Sequence, residues 1–141
     1  MGLITIVYVS VSQHTMTDDE LKSLLDECRA FNSPNDITGM LLYRDGFFIQ
    51  ALEGKADVVE PLYEGIRKDP RHVSVLTVYK NPIETRSFTN WAMGFNKFTA
   101  EDGKDIEGFT DFLDKPDVDF FVQHPGRAAV LLNSFRERTY F

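Results

Sequence analysis

The chain has 141 residues, 43% of them hydrophobic, a formal net charge of −7 and one cysteine. That length suits one domain burying about two-thirds of the surface its unfolded chain exposes. The acidic balance argues against a nucleic-acid partner and gives no support for an anionic membrane surface. Cys28 stands alone, so an intrachain disulfide is impossible and a reducing cytoplasm is the expected compartment. The opening stretch, MGLITIVYVSVSQ, is too short to span a membrane and lacks the charged flank and cleavage site of a leader.

That stretch reads as a first strand. Ile4, Ile6, Tyr8 and Ser10 alternate with Leu3, Thr5, Val7, Val9 and Val11, and both sets are largely apolar or β-branched. A central strand covered on both faces has this pattern. TDDE at 17–20 fits a capping box, with Thr17 as N-cap and Glu20 at N3. Leu21, Leu24, Leu25, Cys28 and Phe31 then form one apolar helical stripe to about residue 32, and Pro34 breaks the chain.

Residues 38–44 and 47–53 flank Asp45-Gly46, a strong hairpin signal. In that register Leu41 falls opposite Gln50 and Tyr43 opposite Phe48, with Gly39 and Leu52 on the same face. A second helix is expected over 57–68, with Val59, Leu62, Tyr63 and Ile66 inward. Residues 73–79 read as a fourth strand, 81–90 as a loop, and 91–98, with Trp91, Met93 and Phe95 in alternation, as a fifth. The order βαββαββ predicts an α+β, ferredoxin-like sheet with two helices on one face. After residue 99 the composition turns acidic and is broken by Gly and Pro. Ala128, Leu131, Leu132 and Phe135 then recur at helical spacing, as an extension expected to cover the open sheet face.

Three polar residues interrupt apolar faces. Tyr8 shares a face with Ile4 and Ile6, Asn32 follows Leu21, Leu25 and Cys28, and Gln50 sits between Phe48 and Leu52. Tyr8 alone could be a core tyrosine bonded to a carbonyl, and Asn32 alone a helix C-cap. Gln50 has no such role, and a buried unpaired amide costs about 1–3 kcal/mol. Polar groups converging in an apolar pocket suit a planar, uncharged, hydrogen-bonding ligand. Arg67, Lys68 and Arg71 form a basic knot, readable as a helix C-terminus favouring cations or as a phosphate clamp at the pocket mouth. No phosphate loop, dinucleotide fingerprint or zinc-protease motif occurs, and the three histidines have no metal-ligand spacing. Pattern alone therefore leaves the ligand open.

Five blocks in order, VYVS at 7–10, CRAFN at 28–32, ITGMLLYRDGFFIQALEG at 37–54, IRKDPRH at 66–72 and RSFTNWAMGF at 86–95, resemble the BLUF family of blue-light sensors using flavin. The resemblance implies a non-covalent flavin: FAD, with FMN or riboflavin as alternatives. It casts Tyr8 as the redox tyrosine, Gln50 as the switching glutamine, Asn32 as a flavin-holding amide, and Trp91 and Met93 as last-strand partners. Asp69, Arg71 and His72 match positions near the ring edge and side chain, and Leu24, Leu41 and Phe48 match apolar ring contacts. Phe31 departs from a frequent Asn or His, Cys28 and Ala92 from Ser, and Asp36 from Gly, which bears on tuning rather than on photochemistry. The implied action is light-driven electron and proton transfer from Tyr8 that rearranges the Gln50 hydrogen bonds and signals to a partner protein, without enzymatic activity. A short stand-alone member is expected, with a flavin-binding domain over 1–98, a helical extension over 99–141 and assembly as a homo-oligomer. The alternatives are a light-independent flavin redox enzyme and an interaction module with an empty pocket.

Overall fold

A computed structural model describes residues 2–89, 92–97 and 125–134. In chain order the elements are β1 (Leu3–Ser12), α1 (Asp18–Asn32), β2 (Thr38–Arg44), β3 (Phe47–Lys55), α2 (Ala56–Arg67), β4 (His72–Ile83), β5 (Gly94–Lys97) and α3 (Pro125–Ser134). The strands form one sheet in the order β4-β1-β3-β2-β5, antiparallel except for the β2–β5 pair. This is the ferredoxin-like α+β arrangement that the element order predicts.

Local signals act where the sequence places them. Thr17 accepts from the Glu20 amide while the Glu20 side chain accepts from the Thr17 amide, so the capping box closes the first turn of α1. Asp45 and Gly46 both take positive φ, 48° and 91°, as a two-residue type I′ turn requires. The resulting register sets Leu41 opposite Gln50 and Tyr43 opposite Phe48.

Strand alternation then divides the molecule into two cores. Ile6, Tyr8, Leu41, Phe48 and Leu52 face α1 and α2, where they meet Leu21, Leu25, Val59 and Tyr63. Val7, Val9, Met40, Leu42 and Ile49 point the other way and pack with Ala128, Leu131 and Leu132 of α3. Both faces of β1 and β3 are buried, which is why neither strand shows a polar side.

Two boundaries and one exposure differ from expectation. β4 runs on to Ile83 by pairing with the start of β1, so it absorbs the first part of the expected loop. β5 begins only at Gly94, with Ala92 and Met93 in a bend, while Trp91 and Phe135 lie outside the described residues. Phe31 is 45% exposed, because the last turn of α1 carries it away from the sheet to the rim of the cleft.

Gly39 marks the tightest backbone approach. A Cβ there would lie 2.0 Å from the Ala51 carbonyl oxygen and 3.1 Å from Met93 Cε. Gly39→Ala should therefore destabilise the protein by about 1–3 kcal/mol through overpacking. A urea midpoint that falls without a change of slope is the expected result, and an unchanged midpoint would show that β2 yields freely.

Candidate functional site

Between α1 and α2, above the β1–β3 centre of the sheet, lies a cleft of about 590 Å³. That volume falls within the range of about 300–1,000 Å³ usual for small-molecule sites. Leu24 from α1, Leu62 and Ile66 from α2, and Leu41, Phe48 and Leu52 from the sheet make its walls apolar. Tyr8, Asn32 and Gln50 bring polar groups to it from three different elements. All three are buried.

The antiparallel β1–β3 register sets Tyr8 opposite Gln50. The Tyr8 hydroxyl donates to Gln50 Oε1, and Gln50 Nε2 donates to Met93 Sδ at 3.3 Å. The amide oxygen thus has a strong partner and its nitrogen a weak one, since a thioether is a poor acceptor. Burial raises the Tyr8 phenol well above its ordinary 10.0, and the nearby Cys28, Tyr63 and Asp69 add to this. It stays protonated at neutral pH. The Tyr8 ring also packs on Tyr63, centroids 5.3 Å apart, and Tyr63 shares a hydrogen bond with Thr77.

Asn32 Nδ2 donates to the Ala92 carbonyl at 2.8 Å, and Arg29 Nε to the Met93 carbonyl at 2.9 Å. The end of α1 is in this way tied to the chain entering β5. At the mouth, Arg71 Nη1 meets Glu27 at 2.7 Å and Arg71 Nη2 meets Asp69 at 2.7 Å. The Arg71 hydrogen bond holds Asp69 below the usual carboxylate range, and the Asp69 and Glu27 carboxylates raise Arg71 in return. His72 also lines the cleft, and its buried Nδ1 has no hydrogen-bond partner among the described residues.

The cleft therefore gathers Tyr8, Leu24, Asn32, Leu41, Phe48, Gln50, Asp69, Arg71 and His72 of the residues expected from the sequence. Met93 does not line it but reaches it through Gln50. Arg67 stays outside, paired with Glu64 at 3.3 Å and set over the Tyr63 ring at 5.9 Å. Trp91 lies outside the described residues. Glu27, Asp57 and Pro61 line the cleft although no sequence signal singled them out. Cys28 lines it too, with its thiol pushed up to about 11, chiefly by burial, so it is a poor nucleophile at neutral pH.

The family model for sensors of blue light using FAD, BLUF, matches residues 3–94. The chain belongs to the BLUF family. The beta subunit of a photoactivated adenylate cyclase from Euglena longa is 38% identical over 92 residues, and an alpha subunit from Euglena gracilis 42% identical over 86. These stretches cover 64% and 61% of this chain but only 11% and 8% of those subunits, so the chain spans about a tenth of the curated relatives it matches. A bacterial light-regulated adenylyl cyclase superposes with a TM-score of 0.74 at 28% identity, over 94% of this chain and 39% of that one. BlsA in its photo-activated state gives a TM-score of 0.66 at 31% identity, over 86% and 93% of the two chains.

The BLUF chromophore is a flavin, FAD. The residues present fit one: apolar walls suit a flat ring, the weakly bonded Gln50 amide suits a polar ring edge, and the orphaned His72 Nδ1 awaits a partner. Among the described residues, no helix is long and apolar enough to cross a membrane.

Burial lowers His72 from its ordinary 6.5, Asp69 opposes this and Arg71 reinforces it. The folded protein binds that proton less readily than the unfolded chain, so the stability His72 contributes is complete above 6.5 and is lost as pH falls toward the lowered value. At equal flavin content, the unmodified protein should lose stability relative to His72→Gln between about pH 7.5 and about pH 5.5. Denaturant midpoints across that range test this, and a pH-independent gap would show that His72 does not titrate on folding.

Proposed function

We propose that this BLUF chain senses blue light through the Tyr8–Gln50 pair and passes the resulting change, through the Met93 strand and the 99–141 extension, to a partner protein within a homo-oligomer. The reading rests on one observation: Tyr8, Gln50 and Met93 form a continuous hydrogen-bonded line at the floor of the cleft.

When bound, a flavin supplies the light absorption and accepts the electron. Tyr8 would be the donor, and its phenolic proton already points at Gln50 Oε1. Oxidation of the ring would hand that proton to the amide along an existing bond, and electron and proton would both return to Tyr8 once the amide has rearranged. Gln50 has two satisfied arrangements. Its oxygen accepts from the phenol in one, and after rotation or tautomerisation a donor faces the phenol oxygen in the other. The energy separating them need be no more than one hydrogen bond, about 1 kcal/mol net. Rotation takes the Nε2 donor away from Met93 and tautomerisation removes one of its hydrogens, so the chain entering β5 experiences the change. Asn32, Asp69, Arg71 and His72 hold and orient the ligand, while Leu24, Leu41 and Phe48 exclude water from the ring faces. The chain is a sensor and not an enzyme in this reading.

Gln50→Ala should keep flavin and lose the light-induced red shift, because no other amide bonded to the Tyr8 hydroxyl can exchange its acceptor for its donor. Tyr8→Phe should do likewise, since the ring still packs but carries no transferable proton. A light-minus-dark spectrum of each flavin-loaded variant tests both, and a normal red shift in Gln50→Ala would overturn the switching role. Asn32→Ala should instead weaken flavin binding roughly tenfold, about 1.5 kcal/mol for one lost hydrogen bond. Flavin titration should separate this loss from the switching phenotype.

A further inference from the structure

Glu53 lies on β3 three residues beyond Gln50, so its side chain points to the opposite face of the sheet. It is only 2% exposed, yet it carries a carboxylate. Burial raises its pKa, while the Phe88 and Ser87 amides and Arg86 oppose that rise. Both oxygens are used: the Ser87 amide donates to them at 3.0 and 3.1 Å, and the Phe88 amide to Oε1 at 2.9 Å. Arg86 binds in the reverse direction. Its Nη1 donates to the Glu53 carbonyl at 3.1 Å and to Thr38 Oγ1 at 2.9 Å, and its Nη2 to the Asp36 carbonyl at 2.8 Å. A buried charge in this setting is costly unless hydrogen-bonded, and this one holds backbone rather than ligand.

The fastened backbone belongs to the β4–β5 connector. At its far end the connector is held by groups of the cleft: Ala92 by Asn32, and Met93 by Arg29 and Gln50. At its near end Phe88 is buried in the core that α3 shares, beside Leu131 and Leu132. A hollow of about 340 Å³, lined by Glu53, Tyr79, Ser87, Phe88, Ala129 and Leu132, leaves that joint loosely packed.

We propose that Glu53 is a positioning residue for output: its carboxylate, with Arg86, makes Ser87–Phe88 a fixed pivot, so that a change at Met93 reaches α3. The proposal rests on the photochemical reading above and concerns the relay downstream of the light reaction. With the Ser87 and Phe88 amides held in place, displacement of the Met93 end turns the Phe88 side chain against Leu131 and Leu132, whereas a connector with no fixed point absorbs it.

Glu53→Gln offers one acceptor where two oxygens serve now and sets an NH₂ against backbone donors. Arg86→Gln removes the reverse contacts and is a second test should the first variant fold poorly. In the full flavin-loaded chain, both variants should keep the red shift but lose the light–dark difference in hydrogen exchange over 125–134 that the unmodified protein shows. The light-minus-dark infrared spectrum of the unmodified protein should contain a carboxylate band that Glu53→Gln removes, a signature that a merely structural role would not produce. A red shift with unchanged light-dependent exchange in both variants would overturn the proposal. So would a red shift in the unmodified protein with no exchange difference over 125–134. Absence of any red shift in the unmodified protein would instead overturn the photochemical reading itself.

Discussion

Across the β1–β3 pair Tyr8 stands directly opposite Gln50, and the phenol donates to the amide oxygen. Both residues sit at the centre of strands buried on both faces, so neither side chain has water as an alternative partner. Low dielectric strengthens that bond and makes its loss expensive. The rest of the cleft is arranged around it: α1 and α2 lean on the same face to make a dry compartment, and the chain entering β5 brings Met93 to the remaining amide hydrogens. The amide is thus held by a hydroxyl on one side and by a thioether, a poorer acceptor, on the other.

Much of this was legible in the sequence because it derives from period and turn chemistry. Asp45-Gly46 specifies a type I′ turn, the turn specifies the hairpin register, and the register puts Gln50 among Leu41, Phe48 and Leu52. The capping box placed the start of α1, and the 3.6-residue spacing from Leu21 through Leu25 and Cys28 to Asn32 put that amide on the cleft side. What resisted was long-range and depended on who meets whom. Glu53 reads as an unremarkable strand end until Ser87 and Phe88 are brought to it, and Arg71 reads as part of a basic knot until Glu27 faces it. Phe31 fits the helical stripe by spacing, yet it stands exposed at the rim of the cleft while Asn32, one residue on, is buried. Arg67 illustrates the limit of proximity in sequence: it pairs with Glu64 and the Tyr63 ring, while Arg71 in the same knot turns to Glu27 and Asp69.

The same sheet serves two compartments with different chemistry. On one side is a cleft whose floor carries neutral amides and a phenol. On the other is a conventional apolar core with one buried carboxylate at its rim. β3 belongs to both, so a single strand carries the amide at the cleft floor and the carboxylate that holds the connector. The sheet is thus a partition between the two compartments and a covalent link across it.

The two-residue turn at Asp45-Gly46 has a further consequence for what the chain tolerates. Surface turns ordinarily absorb insertions, and this one looks permissive, with Asp45 open to solvent. Yet it sets the phase of β3. One added residue would have to be looped out as a bulge, or else the whole strand would advance by one and exchange its faces. In the shifted phase Gln50 would turn toward α3, and Glu53 would lose Ser87 and Phe88. Tags and reporter insertions therefore belong elsewhere, since here a single residue can exchange the two buried faces of β3.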